Sequence, residues 1–344
     1  LQRRWVNMRK KRNEKRNRLL RIFALDAVAL GICLVVFAYF HHVRTPALHP
    51  TALPVTTPQA TPSPTPAPSA EPDAPTPSPT PSGLLGGKYA EKFSQDGVVQ
   101  TETEYRSKNL AIELRTEYQY DSVIHVAEIF MQDLSCFRTG VYDQYGDERL
   151  RTLEMGEEAG AILALSGDYF TAHLNHAMYI VRNGLVYSDK QPESGYDTCV
   201  LYFDGTMETI PADQFDKDAV LKRGLYQSWC FGPGLLTAGG APIENFRSSV
   251  KQENPRSAIG YFEPGHYCFV MVEGRNEDSR GMTLAQLSEF FASLGCQAAY
   301  NLDGGKTAEM AFNGQLVNPR LGDGRAVSDI LYIYDPENQE MDPA

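Results

Sequence analysis

Three dipeptides constrain this fold more than any other feature of the chain. Asn183-Gly184, Asp204-Gly205 and Asn313-Gly314 each stand between short runs rich in β-branched and aromatic residues. Asn-Gly and Asp-Gly accept the positive φ angles of a two-residue turn, so each predicts a β-hairpin, with type I′ geometry at the first two. Residues 111–115 and 123–130 alternate in polarity and read as two more antiparallel strands. Helical patterns are fewer. Residues 153–159 and 215–225 read as short helices, and a longer one follows Thr283. There Leu284, Leu287, Phe291 and Leu294 make one apolar face, Thr283 and Gln286 form a capping box, and Gly295 closes the run. The expected class is α+β: a mixed β-sheet with packed helices, in a single domain over residues 109–335.

Ahead of that domain the composition changes three times. Residues 1–21 form a basic tail. Residues 22–42 are almost wholly apolar, interrupted by Asp26, and match the ~20 residues that span a bilayer. A cleaved signal peptide is the rival reading, but the run is long for one and no small-x-small site follows it before His41-His42. A retained transmembrane anchor is expected, with its basic flank in the cytoplasm and the C-terminal domain extracellular. Asp26 near the cytoplasmic end stays close to the headgroups and needs no functional role. Residues 43–83 are rich in Pro, Thr, Ser and Ala, the composition of an extended linker that buries no core and reaches on the order of 100 Å. Residues 84–108 read as a lead-in and 336–344 as a polar tail.

Charge and cysteine content narrow the function. Residues 1–44 carry eleven Lys/Arg against two Asp/Glu; the net charge is −11, so the remainder carries −20. An acidic ectodomain argues against a nucleic-acid partner. Cys33 lies in the apolar run, whereas Cys136, Cys199, Cys230, Cys268 and Cys296 are isolated, with no metal-ligand spacing. They read as core thiols, with one disulfide possible. No metal and no other cofactor is expected.

The residues that carry chemistry gather where strands are expected to end. Asn301-Leu302-Asp303-Gly304-Gly305-Lys306-Thr307 follows a short buried strand, placing an amide, a carboxylate and two glycines at its end. Adjacent glycines let a backbone approach a ligand with N–H groups free to donate; a tight turn in which Asp303 caps its own backbone is the competing reading. Upstream, Ser166-Gly167-Asp168-Tyr169-Phe170 ends another buried run, with Asp168 either a ligand carboxylate or a turn residue. Arg256 in Asn254-Pro255-Arg256-Ser257 and Arg275 in Glu273-Gly274-Arg275 stand at strand ends, where an arginine can bind phosphate bidentately. Ser279 and Arg280 precede the long helix, whose N-terminus favours anions or is simply capped.

Taken in order with Phe231-Gly232-Pro233-Gly234, these elements resemble the phosphodiester glycosidase family, whose bacterial members are described as exopolysaccharide-related and which includes the lysosomal "uncovering" enzyme. The resemblance covers roughly residues 105–335. It implies hydrolysis of a glycosyl-1-phosphodiester, with Asp303, Glu273 and Asp168 as catalytic carboxylates. Arg256, Arg275, Ser279, Arg280, Asn301, Gly304, Gly305, Lys306 and Thr307 would bind substrate or phosphate. The substrate would be a carbohydrate or sugar-phosphate polymer of the cell envelope. Three positions depart from the family pattern: Ser166 replaces Asn, Glu273 replaces Asp, and Lys306-Thr307-Ala308 replaces Gly and two small hydroxyl residues. The last departure leaves open a non-catalytic glycan-binding module.

Overall fold

The computed structural model describes residues 51–52, 83–143, 148–174, 176–318 and 324–336. The predicted basic tail and apolar run lie outside them. Among the described residues no helix is long and apolar enough to cross a membrane.

Two sheets carry the architecture. A seven-stranded sheet runs, edge to edge, Ala298–Asn301, Arg256–Glu263, His266–Val272, Ser122–Met131, Leu110–Gln119, Glu104–Arg106 and Val99–Gln100. A five-stranded sheet runs Gln315–Leu316, Met310–Phe312, Leu163–Ser166, Asp329–Ile333 and Phe137–Val141. One core lies on the face they share, with Ile112, Ile129, Phe269 and Met271 from the first and Leu165, Met310 and Leu331 from the second. The other face of the larger sheet is covered by the helix Leu284–Leu294, whose Leu284, Leu287 and Phe291 pack on Val126, Val270 and Ala258. Capping box and left-handed Gly295 both form as the sequence predicts.

The α+β class stands, but every described strand pair is antiparallel, where a mixed sheet was expected. Apolar patterning reports which residues are buried and carries no information on strand direction, which explains the miss. The hairpins form at all three dipeptides. Asn183-Gly184 and Asn313-Gly314 have positive φ at both residues, the type I′ signature. At Asp204-Gly205 only Gly205 is left-handed, and Gly205 N–H donates to the Tyr202 carbonyl at 2.9 Å. That turn is therefore a type I turn closed by a glycine bulge, not type I′.

The lead-in belongs to the folded body. Leu85 and Phe93 are buried against Ala111 and Phe130, and Lys92 pairs with Glu113 at 2.7 Å. Two residues of the expected linker, Thr51–Ala52, add an edge to the hairpin strand Leu185–Asp189. Cys136, Cys199, Cys230, Cys268 and Cys296 are all buried, and none of the five is in a disulfide.

Candidate active site

Asp303 stands where the two sheets meet. Leu302 N–H donates to the Ser257 carbonyl at 2.8 Å and Asp303 N–H to the Gly167 carbonyl at 3.1 Å, so the turn after the strand is pinned to both sheets. The Asp303 side chain is nearly buried, with one oxygen accepting from Arg325 Nη2 at 3.3 Å. Burial raises its pKa above the ordinary carboxyl value, against the opposing pull of Thr307 and Arg325. A carboxyl shifted this way keeps its proton nearer to neutral pH, as acid–base chemistry requires.

The two glycines serve packing and not ligand approach. A Cβ on Gly304 would fall 2.6 Å from the Pro255 carbonyl oxygen, and Gly305 N–H donates to that same oxygen at 2.9 Å. Thr307 Oγ1 turns back to the Gly304 carbonyl at 2.7 Å. Lys306 is exposed, and its carbonyl receives Arg325 N–H at 2.8 Å.

Around this turn stand exposed cations. Arg149 and Arg325 lie over the Tyr169 ring at 5.5 and 5.8 Å from its centroid. The Arg275 guanidinium packs against Gly305 and donates to Asn254 Oδ1 at 2.5 Å. With Lys306 they form a positive rim on a strongly acidic domain, a place for an anionic group. Glu273, at the end of the strand His266–Val272, is nearly buried and hydrogen-bonded. Its Oε1 meets His125 Nε2 at 2.8 Å, and His125 Nδ1 meets Thr116 Oγ1 at 3.0 Å.

Several residues expected to touch substrate make their polar contacts within the fold. Asp168 is fully buried, paired with Arg182, and accepts Cys230 N–H at 2.6 Å. Beneath it Asp329 accepts from the N–H groups of Asp168 (3.2 Å) and Phe170 (3.1 Å), fixing the turn that carries Tyr169 in a left-handed conformation. Burial, then repulsion from Asp168, pushes the Asp329 pKa up to about 7. His173, in the same cluster, is lowered to about 4 by burial and is neutral. Arg256 spends its guanidinium on the carbonyls of Met282 (2.9 Å), Val250 (2.7 Å) and Gln252. Burial, helped by Arg275, lowers its pKa to about 10. Ser279 is buried between the Glu273 carbonyl and Val123 N–H, at 2.6 and 3.0 Å. Arg280 is exposed and paired with Glu253 at 3.0 Å. Asn301 is buried and donates to the Gly232 carbonyl at 2.8 Å.

What these struts hold is a cleft of about 450 Å³, adjoining the Asp303 pocket at Tyr169, which lines both. Its walls include His173, Tyr196, Asp197, Phe231, Gly232 and Pro233, with the segment 247–250 at one side. Arg149, Arg325, Tyr169, Asp197 and His125 were not singled out from sequence as site residues. They come from five separate segments, and no local pattern marks them. Among the described residues, no group of three or more His, Cys, Asp or Glu is arranged to hold a metal ion.

An antiparallel α+β body thus sets a buried carboxyl of raised pKa beneath a cationic rim. The chain belongs to the phosphodiester glycosidase family, whose sequence model matches residues 159–334, just over half its length. Members are enzymes acting on sugar phosphodiesters. The SPbeta prophage-derived uncharacterized protein YomE of Bacillus subtilis is 28% identical over 196 residues, covering 55% of this chain and 30% of that protein. The N-acetylglucosamine-1-phosphodiester alpha-N-acetylglucosaminidase of Bos taurus is 29% identical over 106 residues, covering 28% of this chain and 20% of the bovine one. The chain thus spans less than a third of the length of these curated relatives. Among solved structures, the zebrafish enzyme of the same name, its catalytic domain auto-inhibited by a pro-peptide, superposes with a TM-score of 0.54 at 20% identity. The superposition covers 71% of this chain and 86% of that one, and establishes the shared fold.

Proposed function

We propose that this protein is a membrane-anchored extracellular hydrolase that cleaves a glycosyl-1-phosphodiester in cell-envelope or exopolysaccharide glycans. One observation carries the reading: Asp303, its pKa raised by burial, lies against Arg325 within the rim of Arg149, Arg275 and Lys306. Water adds at the anomeric carbon as the C1–O bond breaks, expelling a phosphate monoester, a weakly basic anion whose departure needs charge stabilisation more than protonation. Arg149 and Arg325 supply that stabilisation, and Arg275 and Lys306 extend it. Asp303 acts at the anomeric carbon, and Glu273, oriented by His125, is the second carboxyl of the pair such hydrolysis uses. The basic tail and apolar run supply the anchor, and the proline-rich segment places the domain away from the membrane.

The test is turnover of a panel of sugar-1-phosphodiesters by the wild type, Asp303→Asn and Glu273→Gln. Loss of an acid–base carboxyl lowers turnover by about 10²–10⁴-fold. Full activity in Asp303→Asn would remove that residue from the mechanism. Tight binding with no turnover by the wild type would make the protein a glycan-binding module.

A further inference from the structure

We infer that the cavity lined by His125, between the two sheets, is a second carbohydrate site, separate from the Asp303 pocket and its cleft, that takes a neutral segment of the glycan. This rests on the proposed action on a glycan and adds to it a place where the polymer is held away from the bond being cleaved.

The cavity measures about 430 Å³ and opens between the larger sheet and the hairpin at Asn313-Gly314. It shares no lining residue with the Asp303 pocket or with the cleft beside Tyr169. Most of its wall comes from residues 100–125, ahead of the family-matched stretch 159–334. Leu114, Phe312 and Leu316 give it apolar surface, while Gln100, Thr103 and Gln315 bring amides and a hydroxyl. Those three polar side chains make no hydrogen bond among the described residues. Apolar surface takes the C–H face of a pyranose, and amides and hydroxyls exchange hydrogen bonds with its hydroxyls. Glu102 is the one carboxylate of the lining, and no lysine or arginine joins it. His125 has both ring nitrogens engaged, by Glu273 at 2.8 Å and by Thr116 Oγ1 at 3.0 Å. A phosphate or a uronate would therefore find no free cation here, and a neutral sugar fits.

The two rims are tied together in advance. Asn313 Nδ2 donates to the Thr101 carbonyl at 2.7 Å, joining the hairpin tip of one sheet to that of the other, and Asn313 N–H donates to the Ile162 carbonyl at 2.8 Å. Thr101 Oγ1 accepts Thr103 N–H at 3.3 Å. A gap held open in this way takes a ligand with little ordering cost. The strand Leu110–Gln119 extends the floor, because its alternation puts Leu114, Thr116 and Tyr118 on one face. Tyr118 is 64% exposed, the most open large apolar side chain among the described residues. It stands about 7 Å beyond Thr116 along the strand, a platform for the next sugar.

The experiment uses the full chain, with methyl glucoside, cellotriose, maltotriose and triacetylchitotriose as neutral probes and inorganic phosphate as the anionic one. Each is titrated by hydrogen–deuterium exchange, which locates the probe and gives its affinity. A neutral trisaccharide should slow exchange in residues 99–104 and 312–317, in the wild type and in Asp303→Asn alike, and phosphate should not. Gln315→Ala and Thr103→Trp, both at exposed positions, should weaken that protection at least about 10-fold and leave turnover of a short sugar-1-phosphodiester unchanged. Tyr118→Ala should weaken the trisaccharide and not the methyl glucoside. The inference is overturned if no sugar slows exchange in the two segments, if Gln315→Ala and Thr103→Trp both bind normally, or if phosphate protects as well as sugar does. Turnover of the short substrate with no sugar protecting these segments would sink the second site and keep the hydrolase reading. Protection by sugar with no turnover would do the opposite.

Discussion

Replacing Asp329 by Asn should stabilise the protein at alkaline pH relative to acid. Asp329 is fully buried beside Asp168 and Arg182, whose Nη2 lies 3.5 Å from Asp329 Oδ2. His173 and the more distant Asp303 also face it electrostatically, and the Ser328 hydroxyl lies at 3.4 Å. With Asp168 and Arg182 both ionised, a second carboxylate leaves a buried net negative charge, so the folded state holds the Asp329 proton up to about pH 7. In the unfolded chain the proton leaves near the model value of 3.8. Between those two values the native state binds the extra proton, and stability falls as pH rises. The contribution is fully present below about pH 4 and is gone above about pH 7. Three units correspond to roughly 4 kcal/mol at most. Asparagine is uncharged like the protonated acid and keeps an acceptor oxygen for Phe170 N–H, but loses the oxygen that accepts from Asp168 N–H, a cost that is the same at every pH. Denaturant melts of wild type and Asp329→Asn at pH 5 and pH 8 provide the assay. The difference between variant and wild type should grow by about 2–3 kcal/mol in the variant's favour from pH 5 to pH 8. An equal difference at both values, or one that moves in the wild type's favour at pH 8, would show that Asp329 is ionised in the fold and refute the reasoning.

Further outcomes follow from the same geometry. Gly304→Ala should destabilise the fold by about 1–3 kcal/mol in thermal melts, because its Cβ meets the Pro255 carbonyl. Arg256→Met should cost about 2–4 kcal/mol by stranding the carbonyls of Val250, Gln252 and Met282; unchanged stability would return Arg256 to the pool of phosphate ligands. Deleting about 20 residues between 53 and 82 should leave the melting temperature unchanged, since the proline-rich composition buries no core. Protease added to intact cells should release the domain and spare residues 1–21; a product lacking the first 40 residues would refute the retained anchor.

The sequence was most informative where one residue type answers to one backbone geometry. Asn183-Gly184 and Asn313-Gly314 made the turns their chemistry demands, and Thr283 with Gln286 capped the helix they precede. Phe203-Asp204-Gly205 shows the limit, because Asp204 tolerates a right-handed conformation as well and the strand ends decided the turn. The site was legible as a set of segments and not as a set of roles. Arginine at a strand end has the same letters whether its fork meets phosphate or, as at Arg256, three carbonyls of its own loop. Asp168 and Asp303 both end buried strands near glycine, yet one is sealed beneath Arg182 and the other faces Arg325. Burial separates them, and burial is a property of the whole fold.

The edge strand Ala298–Asn301 holds the cleft wall and then delivers the candidate reacting carboxyl two residues later. It works as a ruler. The spacing between the Gly232 wall and Asp303 is fixed by covalent chain and sheet register, not by the loops that complete each compartment. A substitution in segment 231–233 or 247–250 therefore reshapes the cleft while the strand keeps Asp303 where it is.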